Sequence, residues 1–250
     1  MPCLEKRMER VAFAKRVLRL SKKELDEKFC FAMDGTIIAM PPKDPTERMN
    51  FVRYDDEYVW RKPSETFLSK LGGHNDYPKQ VPLSRALLLW GGCSPKGFAT
   101  VAFHAQKKFN KTTWPKVVQD GKLAAAIQAL KPQRKTGPWE VLCDNEGFLA
   151  TREPTSAMRA AKISMWSLPS RSPDLNPVER FWGWLKKKLK RMDLADAMKK
   201  RPVLGKTAYK VRVRSILKTK KAQTMAATYA NSFRKACKEV VKKKGAATRF

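Results

Sequence analysis

The sequence predicts an α/β fold with strands of mixed order, and three observations carry that reading. Short apolar runs of strand length recur between residues 29 and 168. Amphipathic helical stretches separate them and then take over the last third of the chain. With 42% hydrophobic residues, 7 Trp and 12 Phe in 250 residues, there is apolar material for one large packed domain.

The first 28 residues read as a helical lead-in. Val11, Ala14, Leu18 and Leu25 recur at helical spacing, with Ser21 placed to cap a second helix. Phe29–Met40 is an apolar run with a single acid, bounded by Pro41 and Pro42. It is either one buried strand or a hairpin turning at Asp34-Gly35. Residues 41–80 are loop-rich, with a strand-like piece at Tyr58–Trp60. Ala86–Trp90 and Phe98–Phe103 read as strands joined by a hairpin loop over Gly91–Gly97, and Trp114–Leu130 reads as one helix. Val141–Asp144 is a short strand ending on an acid, Ala157–Ala161 a helix, and Ile163–Leu168 a last strand. Asn176, Pro177 and Glu179 have the pattern of an N-cap, a first helical residue and a capping-box glutamate. The helix they open turns Val178, Phe181, Trp182, Leu185 and Leu189 inward and crowds Lys186, Lys187, Lys188, Lys190 and Arg191 on its other faces. Residues 193–250 read as a basic helical segment, leaving 29–192 as the core.

Charge narrows the partner. Lys and Arg number 53 against 23 Asp and Glu, a formal charge of +30. A polyanion is the expected partner, nucleic acid before a membrane surface, because no long basic amphipathic helix dominates the chain. No apolar run is long enough to span a bilayer, and no secretory signal is expected. Five scattered cysteines without a C-x-x-C pair, and only His74 and His104, point to reduced thiols rather than to disulfides or zinc.

Three acids stand out by setting: Asp34 inside an apolar strand, Asp144 at the end of one, Glu179 in the first turn of an amphipathic helix. Each also has a plain explanation as turn, strand end or helix cap. Carboxylates in such places need compensation for burial, and three converging on one point suit Mg²⁺ or Mn²⁺, hard ions that take oxygen ligands.

The segment SPDLNPVERFW (Ser172–Trp182) resembles the signature of the mariner-type transposases of the DDE superfamily, and thirty-four residues separate Asp144 from Glu179. Arg10–Leu18, Phe31–Ile37, Tyr58–Glu65, Leu87–Gly97, Val141–Asn145 and Ser232–Phe250 resemble other family segments in family order. The resemblance implies an RNase H-like core, a mixed five-stranded sheet flanked by helices. It implies Asp34, Asp144 and Glu179 as catalytic ligands of two Mg²⁺ or Mn²⁺ ions, and Lys186, Lys187, Lys190 and Arg191 as DNA contacts. It further implies cleavage at transposon ends, joining of the 3′ hydroxyl to target DNA, a homodimer in the synaptic complex and a nuclear setting. The alternative is a catalytically inactive, transposase-derived DNA-binding protein.

Three departures from the family pattern are visible. The N-terminal helix-turn-helix pair has no counterpart in this sequence, so end recognition is expected from elsewhere. Gly35 stands where a second acid commonly follows the first, and no histidine follows Asp144-Asn145-Glu146.

Overall fold

The computed structural model describes residues 4–53, 81–104, 109–133 and 135–248. The Tyr58–Trp60 and Tyr58–Glu65 readings lie outside them.

The lead-in forms α1 (Leu4–Arg19) and α2 (Lys22–Lys28). Ser21 caps α2 reciprocally: its hydroxyl accepts from Glu24 N–H at 3.2 Å, and its own N–H donates to the Glu24 carboxylate at 2.7 Å. Next, Phe31–Ala39 runs as one unbroken strand, β1. The hairpin alternative is thereby excluded, since Asp34 and Gly35 both pair with the neighbouring strand.

Within 41–80, the described part contains a helix the sequence reading left as loop, α3 (Pro45–Arg53). Its signal was present. Asp44 accepts from Glu47 N–H at 2.8 Å and Pro45 occupies the first helical position.

The two central strands are longer than their apolar cores suggested: β2 is Ala86–Ser94 and β3 is Gly97–His104. Gly91-Gly92-Cys93-Ser94 is therefore strand, not hairpin loop, and only Pro95 and Lys96 turn the chain. Glycine is required there by space rather than flexibility. A Cβ on Gly92 would run into the Phe31 ring and the Ala32 carbonyl. The expected helix over Trp114–Leu130 is two, α4 (Thr113–Gln119) and α5 (Lys122–Ala129). The break is at Gly121, whose φ of +72 is left-handed backbone that ends a helix.

After these come β4 (Trp139–Cys143), α6 (Arg152–Ala160), β5 (Ile163–Ser167), α7 (Pro177–Met198), α8 (Lys206–Lys218), α9 (Lys220–Asn231) and α10 (Phe233–Lys242). The sheet order is β3-β2-β1-β4-β5, with β1 parallel to β4, β4 parallel to β5, and the other pairs antiparallel. This is the mixed five-stranded sheet flanked by helices that the family resemblance implied.

Each face of the sheet has its own core. On one, α4, α5 and α6 pack over Phe31, Met33, Trp90, Val101 and Val141. On the other, α1 and α7–α10 cover Ala32, Ile38, Leu89 and Phe98. Val178, Phe181, Trp182, Leu185 and Leu189 of α7 are all at most 2% exposed, which confirms the inward stripe. At about 1.5–3 kcal/mol for each buried large apolar side chain, this stripe holds α7 firmly on the sheet. Phe181 stacks on Phe98 with ring centroids 4.6 Å apart.

Cys30, Cys93, Cys143 and Cys237 are free, buried thiols. Burial raises the Cys143 pKa to about 12, with Asp144 and Asp34 adding to it. Among the described residues, no helix is long and apolar enough to cross a membrane.

Candidate active site

Three elements deliver three acids to one place. Asp34 projects from the middle of β1 toward α7, on the face shared with Ala32 and Ile38, and is 8% exposed. Asp144 follows directly on Cys143, whose strand partner is Met33, so it emerges beside Asp34 at the end of β4. Glu179 lies in the first turn of α7.

Their mutual influence shows in protonation. The Asp34 pKa rises from 3.8 to about 8, first because the group is buried, then through the Glu179 charge. A hydrogen bond with Glu179 and the charge of Asp144 add to it, while a hydrogen bond with the Gly35 backbone opposes the rise. Asp144 rises to about 6, by burial and then by repulsion from Glu179 and Glu146. One Asp144 carboxylate oxygen is buried without any hydrogen-bond partner. Like charges gathered against their own repulsion, with an unpaired buried oxygen, suit a cation.

The local sequence aims Glu179 by means other than the expected cap. Asn176 starts α7, but its side chain makes no cap hydrogen bond. Instead Nδ2 donates to the Met33 carbonyl at 3.4 Å, tying the start of α7 to the residue before Asp34. Glu179 is thus turned toward Asp34 rather than back onto its own helix. On the next residue, the Arg180 guanidinium donates to Ser232 Oγ at 2.8 Å and lies 4.5 Å from the Tyr229 ring, which sets the helix rotation from the opposite side.

The turn before α7 is gripped from both ends of the described chain. Arg10, 1% exposed on α1, donates to both carboxylate oxygens of Asp174, at 2.8 and 2.6 Å. Its Nε also donates to the Gly245 carbonyl at 3.0 Å. Thr248 donates to the same Asp174 carboxylate from its N–H and its hydroxyl, each at 2.9 Å. Burial alone would raise the Asp174 pKa; Arg10 and Thr248 outweigh it and hold the group below its ordinary value. The sequence reading missed Arg10 and Thr248. A signal existed for Arg10, which stands on the Phe13–Ala14–Val17 stripe of α1 where an apolar residue belongs.

The remaining predicted residues lie further along α7. Lys186, Lys187 and Arg191 are exposed, and Lys190 is half-buried over the Phe51 ring at 5.6 Å. A cleft of about 850 Å³ opens beside Asn145–Gly147 along α6 and β5, and none of the three acids lines it.

The donor set fits a hard divalent cation: carboxylate oxygens only, one of them orphaned. Among the described residues, no three acidic, histidine or cysteine side chains already stand at chelating distance.

Comparison with known proteins bears on the fold that carries these acids. The family model described as DDE superfamily endonuclease matches residues 97–200, which include Asp144 and Glu179. No curated protein matches the sequence. Among solved structures, a pre-cleavage Mos1 transpososome superposes with a TM-score of 0.66 at 12% identity, over 100% of this chain and 65% of that one. A Mos1 transposase paired-end complex with the left transposon end gives 0.62 at 14% identity, over 97% and 63%. The catalytic domain of Mos1 mariner transposase gives 0.60 at 12% identity, over 98% and 97%. This chain therefore spans slightly less than two thirds of the chains in those complexes and nearly all of the isolated catalytic domain. In fold, then, the chain is similar to the catalytic domain of Mos1 mariner transposase, and its residues 97–200 match the DDE superfamily endonuclease family.

Proposed function

We propose that this chain is a metal-dependent DNA endonuclease and strand transferase that cuts phosphodiesters at transposon ends and joins the freed 3′ hydroxyl to target DNA. The observation that supports it most is the convergence of Asp34, Asp144 and Glu179 from β1, β4 and α7, at the expense of a strongly raised Asp34 pKa. Solved Mos1 catalytic domains carry Mn or Mg, and Mos1 complexes hold a transposon end, which is consistent with the same chemistry here.

In this reading the three carboxylates hold Mg²⁺ or Mn²⁺, two ions in all. Bound there, the metal would lower the pKa of the attacking water or hydroxyl and offset charge on the leaving oxygen. The protein's own part is positional. The strand holds Asp34 fixed, the Asn176 link sets its distance from Glu179, and the Arg10–Asp174–Thr248 clamp fixes the turn before α7. Burial keeps bulk water away from Asp34, so charge brought to it acts in a less screened setting. Lys186, Lys187, Lys190 and Arg191 would contact DNA phosphates. The same run, Lys186–Arg191, would serve nuclear import, and pairing of two ends calls for a homodimer.

Nicking of supercoiled plasmid by the purified chain tests this, with Mn²⁺, Mg²⁺ or EDTA, beside Asp144→Asn and Glu179→Gln. Metal-dependent nicking lost in both variants is the expected result. Salt-sensitive DNA binding with no nicking under either metal would instead identify an inactive, transposase-derived DNA-binding protein.

A further inference from the structure

Helix α8 carries five cations and no acid in thirteen residues. Among the described residues, Arg212 is the one of these committed to carboxylates, donating to Asp193 at 2.9 Å and Asp196 at 2.5 Å on α7. Lys206, Lys210, Arg214 and Lys218 recur every fourth residue, and so form a row on one side of the helix with steps of about 6 Å. Like charges at this spacing repel one another. The effect reaches Lys210, whose pKa is lowered by burial and then by Arg214 and Lys206. Among the described residues, no carboxylate pairs with Lys210, Arg214 or Lys218.

The row is anchored rather than loose. Lys210 and Arg214 lie over the Phe103 ring of β3 at 4.9 and 5.1 Å, and Lys206 donates to the Leu83 carbonyl at 2.9 Å. Since β3 is an edge strand, the row borders the sheet there, beside a groove of about 650 Å³ shared with α5. Strand register carries it to the height of the acids: Asp34 faces Gly91, and Gly91 faces Thr100. Two strand spacings separate Asp34 from Thr100, about 10 Å.

An acidic peptide added to the β3 edge is the competing occupant. That edge is already engaged at Phe98, whose N–H donates to Gln223 Oε1 at 2.9 Å and whose carbonyl accepts from Gln223 Nε2 at 3.2 Å. A linear, evenly spaced and pre-anchored row of charges suits a phosphate backbone better.

We infer that α8 is a DNA contact surface separate from the α7 lysines, with duplex phosphates lying along Lys206, Lys210, Arg214 and Lys218 at the β3 edge. The inference rests on the DNA reading above. The test is the salt dependence of binding to a short blunt duplex in EDTA, where no cleavage chemistry intervenes. Each phosphate contact contributes about 0.9 to the slope of log Kobs against log salt. A Lys210→Gln, Arg214→Gln, Lys218→Gln variant is expected to lower that slope by about 3. Lys218→Gln alone, at an exposed position that makes no contact with the Phe103 ring, should lower it by about 1. The equal charge change on α10, Lys235→Gln with Lys238→Gln and Lys242→Gln, should leave the slope near that of the unaltered chain.

An unchanged slope in the α8 variants, or an equal fall in the α10 variant, overturns the inference. So does an unchanged slope accompanied by lost binding of a poly-glutamate peptide, which would make the partner an acidic protein. If the unaltered chain binds no duplex at all, the DNA reading itself fails; if it binds and α8 does not matter, only this inference does.

Discussion

Asp34 shows how one residue can be costly to the fold and central to the proposed site. Its folded pKa of about 8 exceeds its ordinary 3.8, so the folded state holds a proton that the unfolded state releases between those values. The stability linked to that proton is complete at acidic pH and is lost as pH rises toward 8. In EDTA, therefore, Asp34→Asn should be more stable than the unaltered chain at pH 8, by at least about 1 kcal/mol, with the gap closing near pH 4. Urea unfolding at both pH values reads this directly. Adding Mg²⁺ should narrow the gap at pH 8 by stabilising only the chain that keeps its carboxylate. A variant that is less stable at pH 8 would show that Asp34 is held by a partner rather than strained by its neighbours. The three acids were legible from their setting and their order, because a charge inside an apolar run is conspicuous. The Asn176 link to Met33 was not, since a cap pattern in sequence leaves open whether the side chain turns to its own helix or to a strand more than a hundred residues away.

Among the elements, those that obey local rules were readable. The Ser21 cap, the α7 stripe and strands β1, β4 and β5 stand within a residue or two of their expected places. The elements misread were those decided by contacts distant in sequence. Gly91 and Gly92 look like loop residues, yet β1 and Phe98 come so close that only glycine fits a strand there. Gly92→Ala should accordingly disrupt β2 and lower the thermal midpoint sharply, although alanine is ordinarily the better-tolerated residue. By contrast, Gly121→Ala meets no neighbour and should cost only about 1 kcal/mol, the strain of a left-handed backbone. The clamp belongs to this scale as well. Asp174→Ala would strand the buried Arg10 charge, a loss of about 3–5 kcal/mol measurable by urea unfolding. The loss should exceed that of Thr248→Ala, which leaves the Arg10 pair in place.

At the scale of the whole molecule, a charge of +30 opposes compaction through self-repulsion. Screening should relieve it: the thermal midpoint is expected to rise from low to moderate monovalent salt, and to rise further with duplex DNA at low salt. A midpoint indifferent to both would mean that the cations are already neutralised within the fold. The clamp on Asp174 has another consequence, in time rather than in space. Thr248 follows Asp174 by 74 residues, and both of its hydrogen bonds close on the turn that precedes Glu179. During synthesis, the sheet and α7 leave the ribosome well before the segment that fastens them. The acids are thus gathered early but fully locked late, and a chain halted before Thr248 carries the three acids behind a turn held by Arg10 alone.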